Sequence, residues 1–228
     1  MKKMHTYFYL LLLLTGFVQI AATEGESTTK SYSEMSKDEL NDALMEAIRE
    51  GLSGIVKKTI QAGADVNYVN QRGDTPLISG IDHAGGGVWR FSRDGKYLLK
   101  WENGARIIEI LLAAKANVNL ANKQGNTPLI QSANKSDHKT LQDLLQIPGI
   151  KIDHVNEYGD TALIVAIKKI RVNFIVGDRQ DASRCRNSQE IITTLLAVPG
   201  IDKKHANKNG DTAASLYKKV LESMPKGY

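Results

Sequence analysis

Ala62-Gly63-Ala64-Asp65-Val66-Asn67, followed by Gly73-Asp74-Thr75-Pro76-Leu77-Ile78, is the stretch on which the rest of the chain is organised. It recurs. Ala116-Asn117-Val118-Asn119 leads to Gly125-Asn126-Thr127-Pro128-Leu129-Ile130. Ile152-Asp153 leads to Gly159-Asp160-Thr161-Ala162-Leu163-Ile164, and Lys203-Lys204 leads to Gly210-Asp211-Thr212-Ala213-Ala214. Self-similarity at a fixed period is the signature of a repeat architecture. Thr127 and Thr161 stand 34 residues apart, while the flanking intervals are 52 and 51, one repeat plus an inserted segment. A further copy without insertion runs from Asp42 through Ile48, Ile55-Val56 and Ala62.

Each copy reads as a turn followed by two helices. Thr75 and Thr127 are placed to cap a helix, and Pro76 and Pro128 then take its first position, where no amide donor is needed. Leu77, Gly80 and Ile81, like Leu163, Ala166 and Ile167, are spaced to share one helical face. Ile107-Ile108-Glu109-Ile110-Leu111-Leu112 and Ile191-Ile192-Thr193-Thr194-Leu195-Leu196 supply a second helix. One such unit cannot bury its apolar face alone; stacked units bury a continuous one.

Gly, Asp or Asn, Thr, Pro or Ala, and Leu recur in register, and over roughly residues 37–224, within a domain taken as 37–228, the chain resembles the ankyrin-repeat family. The resemblance implies an all-α solenoid of about five helix-turn-helix repeats, near 42–74, 75–126, 127–160, 161–211 and 212–228. It also implies a non-enzymatic protein–protein interaction module. One departure is clear. Ile78, Ile130 and Ile164 stand where the family often has His, so packing has to replace that side-chain network.

The N-terminus is of another kind. Lys2-Lys3, an apolar run from Thr6 to Ala22 and small residues at Ala21-Ala22 predict a bacterial-type signal peptide over 1–22. The run is 17 residues. A spanning helix needs ~20, so membrane attachment is expected only if the leader stays uncleaved. Export to the periplasm or beyond follows. Residues 23–36 lack apolar periodicity and are expected to form a disordered linker, ending at Ser36, which with Glu39 forms a capping box.

Two insertions, 86–104 and 171–187, fall between the helices of the second and fourth repeats. They are expected on one edge of the stack. The first alternates as a β-hairpin: Trp89 and Phe91 on one strand, Tyr97, Leu99 and Trp101 on the other, with Arg93-Asp94-Gly95 as the loop. Its aromatic face either packs on its own chain or anchors a partner, since Trp, Tyr and Arg dominate binding hot spots. The second is expected as a loop carrying Arg179, Arg184 and Arg186. Both are basic, so an acidic protein, a polyanionic glycan or a phospholipid surface could be attracted there, and Trp89, Arg90, Phe91, Arg93, Tyr97, Trp101, Arg179, Arg184 and Arg186 form the candidate contact set. Cys185, between Arg184 and Arg186, is a candidate reactive thiol.

The net charge is +5 over the whole chain, too small to argue for nucleic acid. A lone cysteine forms no disulfide within one chain. The sequence has no Gly-x-Ser-x-Gly, His-Glu-x-x-His or phosphate loop, so neither catalysis, a metal nor a cofactor is expected, and a monomer is. Two more specific roles remain open on the resemblance: a periplasmic accessory or protective factor for an envelope enzyme, and a secreted effector binding host proteins.

Overall fold

The computed structural model describes residues 17–21, 27–84, 100–176 and 181–223. A two-stranded antiparallel ribbon, β1 (Phe17–Ala21) with β2 (Ser27–Ser31), pairs Phe17 with Ser31 and Ala21 with Ser27. A 3-10 turn, Tyr32–Glu34, follows. The expectation of a structureless linker over 23–36 is therefore corrected for 27–34. Two consecutive Ser/Glu capping boxes explain the order next to the first helix: Ser31 with Glu34, then Ser36 with Glu39. The second is the one predicted from sequence, with Glu39 N donating to Ser36 Oγ at 3.3 Å and Ser36 N to Glu39 Oε2 at 2.7 Å.

The rest is helical. The first pair is α1 (Lys37–Glu50) and α2 (Ser53–Gln61); the second is α3 (Pro76–Ala84) and α4 (Lys100–Ala113). The third is α5 (Pro128–Lys135) and α6 (His138–Leu145). The fourth is α7 (Ala162–Val176) and α8 (Asp181–Leu196), and α9 (Ala213–Ser223) opens a fifth. First helices pack in the order α1–α3–α5–α7–α9, and second helices pack α2 on α4 and α6 on α8. This is an all-α repeat solenoid. One apolar cluster runs through it from Met35 to Val220.

The four threonines occupy equivalent places. Thr75, Thr127, Thr161 and Thr212 each accept, through the hydroxyl, the amide three residues on, at 3.2, 3.4, 3.4 and 3.2 Å. Ile78, Ile130 and Ile164 are 0, 1 and 1 % exposed. Packing thus takes the role that the family's histidine network would have.

Two expectations about the insertions are corrected. The predicted second strand of the hairpin included Lys100 and Trp101, but both lie in the first turn of α4. Buried Gly104, Ile107, Ile108 and Leu111 follow a helical period there, and it continues upstream. The remainder of that hairpin, 85–99, lies outside the described residues. Nor is the second insertion a loop over its described part. Residues 171–176 extend α7, and 181–187 open α8. No Gly or Pro stands between Ala162 and Val176 to stop the helix, and the first breaker is Gly177. The fourth repeat therefore has helices of 15 and 16 residues, against 8 and 8 in the third.

Candidate functional site

Each repeat ends its second helix in a loop and then makes a tight turn before the next first helix. These loops and turns line one edge of the stack, and a side-chain ladder holds them in register. In every turn an asparagine three residues before the glycine folds inward. Asn156 Oδ1 accepts the amides of Tyr158 and Asp160, both at 3.0 Å, and Asp160 O accepts from Asn156 N at 3.1 Å. Asn70, Asn122 and Asn207 close their own turns in the same way.

In three of the four, the remaining amide reaches the preceding repeat. Asn122 Nδ2 donates to Asp74 Oδ1 at 3.0 Å, Asn156 Nδ2 to Asn126 Oδ1 at 3.0 Å, and Asn207 Nδ2 to Asp160 Oδ1 at 2.8 Å. Main-chain bonds run alongside: Glu157 N donates to Gln124 O at 2.9 Å and Lys208 N to Tyr158 O at 3.1 Å. Asn156 is 9 % exposed and Asp160 3 %. Buried polar groups of this kind stabilise only when fully satisfied, and here each has its partner.

A second ladder joins the loops. Asn117 N donates to Asn67 Oδ1 at 2.7 Å, Lys151 N to Asn119 Oδ1 at 2.9 Å, and Asp202 N to Asp153 Oδ1 at 3.1 Å. His154 and His205, which share a repeat position, belong to the same scaffold. Nε2 of His154 lies 3.1 Å from Gly125 O, and that of His205 lies 2.8 Å from Gly159 O. A carbonyl only accepts, so Nε2 carries the proton in both rings.

Carboxylates behind the turns are tied to lysines on the first helices. Lys168 Nζ sits 2.7 and 2.6 Å from the two oxygens of Asp160, and Lys219 Nζ sits 2.7 Å from Asp211 Oδ1. The turns also approach closely. At Gly125 (φ +74) an added Cβ would lie 2.9 Å from Asn156 Cα and Glu157 N. At Gly210 (φ +76) it would meet nothing within 4 Å.

The residues predicted from sequence stand elsewhere. Trp89, Arg90, Phe91, Arg93, Tyr97 and Arg179 lie outside the described residues. Trp101 is placed on α4, and Arg184, Cys185 and Arg186 on the opening turns of α8. Arg186 is exposed. Below these arginines α8 is fastened to the turn between α5 and α6. Ser188 Oγ and Ser136 Oγ are 2.8 Å apart, and Asn187 Nδ2 donates to Ser136 O at 3.3 Å. The His138 ring bridges Glu190 Oε2, at 3.1 Å, and Thr194 Oγ1, at 2.9 Å.

Sequence reasoning missed the four ladder asparagines. Their signal was present: each stands three residues before the repeated glycine, in Asn70, Asn122, Asn156 and Asn207. Among the described residues no group of His, Cys, Asp and Glu has the arrangement to hold a metal ion.

Residues 98–176 match the family described as ankyrin repeats (3 copies). The chain is also similar to a probable cytoplasmic glutamate–tRNA ligase of Vairimorpha ceranae (strain BRL01), at 26% identity over 126 residues. That likeness covers 54% of this chain and spans only 19% of the ligase. The equivalent threonine caps and the stacked helix pairs extend the matched pattern on both sides, back to Thr75 and forward to Thr212. Residues 98–176 are thus ankyrin repeats, a unit that serves as a protein–protein interaction module.

Proposed function

We propose that this chain is an exported, non-enzymatic binding module that works by display. A stack whose turns are locked to one another offers its turn edge and its two insertions to a partner protein. The reading is carried by the inter-repeat ladder. Asn122, Asn156 and Asn207 each bond within their own turn and across to the preceding one. A surface held in this way loses little conformational freedom when it binds.

Trp89, Phe91, Tyr97 and Trp101 supply the apolar anchors, and Arg90, Arg93, Arg179, Arg184 and Arg186 supply charge for an acidic partner. The leader over 1–22 directs export, and the mature chain acts as a monomer. The ligase activity named for the relative has no bearing on this reading, because the likeness spans only 19% of that protein.

Capture of partners by the tagged chain tests the reading, once from an envelope extract and once from host lysate. A partner retained by wild type and lost on Trp89→Ala/Phe91→Ala/Trp101→Ala, with the melting temperature unchanged, supports it. Unchanged capture with a lowered melting temperature would make the aromatics structural. Sequencing the mature N-terminus checks export: a start near Thr23 is expected, and Met1 would contradict it.

A further inference from the structure

The turn edge carries more lysine charge than its ion pairs take up. Lys115, Lys151, Lys203, Lys204 and Lys208 lie on successive loops and turns. All five are exposed, and none of their ammonium groups has a partner among the described residues. The more buried acids of the same edge are engaged. Asp160 and Asp211 hold Lys168 and Lys219, and Asp74 accepts from Asn122. The exposed acids stay charged but make no ion pair with these lysines: Asp153 accepts the Asp202 amide and Asp202 accepts the Lys204 amide.

Lys115 gives an independent sign. In the loop that leaves the second helix, three repeats place a glycine in the left-handed region: Gly63 (φ 108), Gly149 (φ 81) and Gly200 (φ 82). The remaining one places Lys115 there, at φ 63. A side chain in that conformation is sterically costly, and glycine is the residue that avoids the cost. Stability alone therefore disfavours lysine at 115, and what lysine adds is an exposed, unpaired charge.

We propose that this edge docks an extended acidic segment of a partner protein. The proposal rests on the binding-module reading and names the partner's chemistry. Repeats succeed one another about every 10 Å, one helix diameter. An extended chain advances ~3.3 Å per residue, so a carboxylate at every third position meets one repeat after another. Exposed Asp153, Glu157 and Asp202 are interspersed among the lysines. That pattern suits spaced carboxylates better than the unbroken phosphates of a nucleic acid, which reward a continuous basic stripe.

The test is fluorescence anisotropy of the full chain with a labelled (Glu-Gly-Ser)4 peptide. Parallel titrations use (Gln-Gly-Ser)4 and an oligothymidylate of equal charge. Binding of the glutamate peptide that weakens with salt is expected, with none of the glutamine peptide. Lys203→Glu/Lys204→Glu/Lys208→Glu is expected to weaken it tenfold or more at unchanged melting temperature. Lys57→Glu/Lys58→Glu, a two-residue reversal on α2, is expected to change it less than twofold. Lys115→Gly is expected to raise the melting temperature while weakening binding.

Equal affinity of the triple variant and wild type overturns the proposal, as does equal loss in the α2 control. Tighter binding of the oligothymidylate would replace the acidic segment with a nucleic acid. If the triple variant still captures the same proteins as wild type, the edge is wrong and the module reading stands. If neither captures any, that reading fails too.

Discussion

Asn156 donates its side-chain amide to Asn126 Oδ1 at 3.0 Å, across 30 positions of chain and from one repeat to the next. The same asparagine closes its own turn through two accepted amides. One buried side chain therefore sets both the shape of a turn and its distance from its neighbour. Asn156→Ala leaves Asn126 Oδ1 and the Tyr158 and Asp160 amides without these partners. Unsatisfied buried groups cost roughly 1–3 kcal/mol each, and part of this set will rehydrate. A loss of about 3 kcal/mol is expected, seen as a melting temperature lower by roughly 6–12 °C for a chain of this size.

Gly125 and Gly210 separate two effects that usually come together. Both have positive φ, but only Gly125 faces the backbone of the next turn. Gly210→Ala is expected to cost about 1 kcal/mol, the left-handed penalty alone. Gly125→Ala adds overpacking against Asn156 and Glu157, so about 3 kcal/mol is expected. Denaturant midpoints of the two variants check this, and equal losses would mean that the close approach does not matter.

The Asp160–Lys168 pair gives an asymmetric prediction. Asp160 has a side chain 5% exposed and that of Lys168 is 36% exposed. Lys168→Ala strands a buried carboxylate with only the Asn207 amide, and an expected cost of about 2 kcal/mol follows once exposure of the lysine is allowed for. Asp160→Asn keeps the oxygen that Asn207 needs, as Asn126 does at the equivalent place in the third repeat. It should cost under about 1 kcal/mol. In the double variant most of the Lys168→Ala penalty is expected to disappear, which a double-mutant cycle in urea reads directly.

The fold was legible because its information repeats. Thr75, Thr127, Thr161 and Thr212 predict helix starts, and each caps a helix in the structure. The Ser36–Glu39 box was legible for the same local reason. The extended helices of the fourth repeat were less so. Their inserted residues look like loop by analogy with shorter repeats, although nothing between Ala162 and Val176 breaks a helix. Trp101 misled because alternation over a few residues is shared by strand and helix, and the period of Ile107, Ile108 and Leu111 decides it. The turn edge was the least legible part of the site. Which lysines of that edge lack an ion-pair partner depends on which carboxylates lie beside them, and that is a three-dimensional fact.

Cross-linking with a lysine-directed reagent, mapped by mass spectrometry on the chain with a captured partner, tests the display account most directly. Intermolecular cross-links are predicted at Lys115, Lys151, Lys203, Lys204 and Lys208, with Lys57 and Lys58 on α2 unmodified by the partner. Cross-links concentrated on α2, or spread evenly over every exposed lysine, would contradict it.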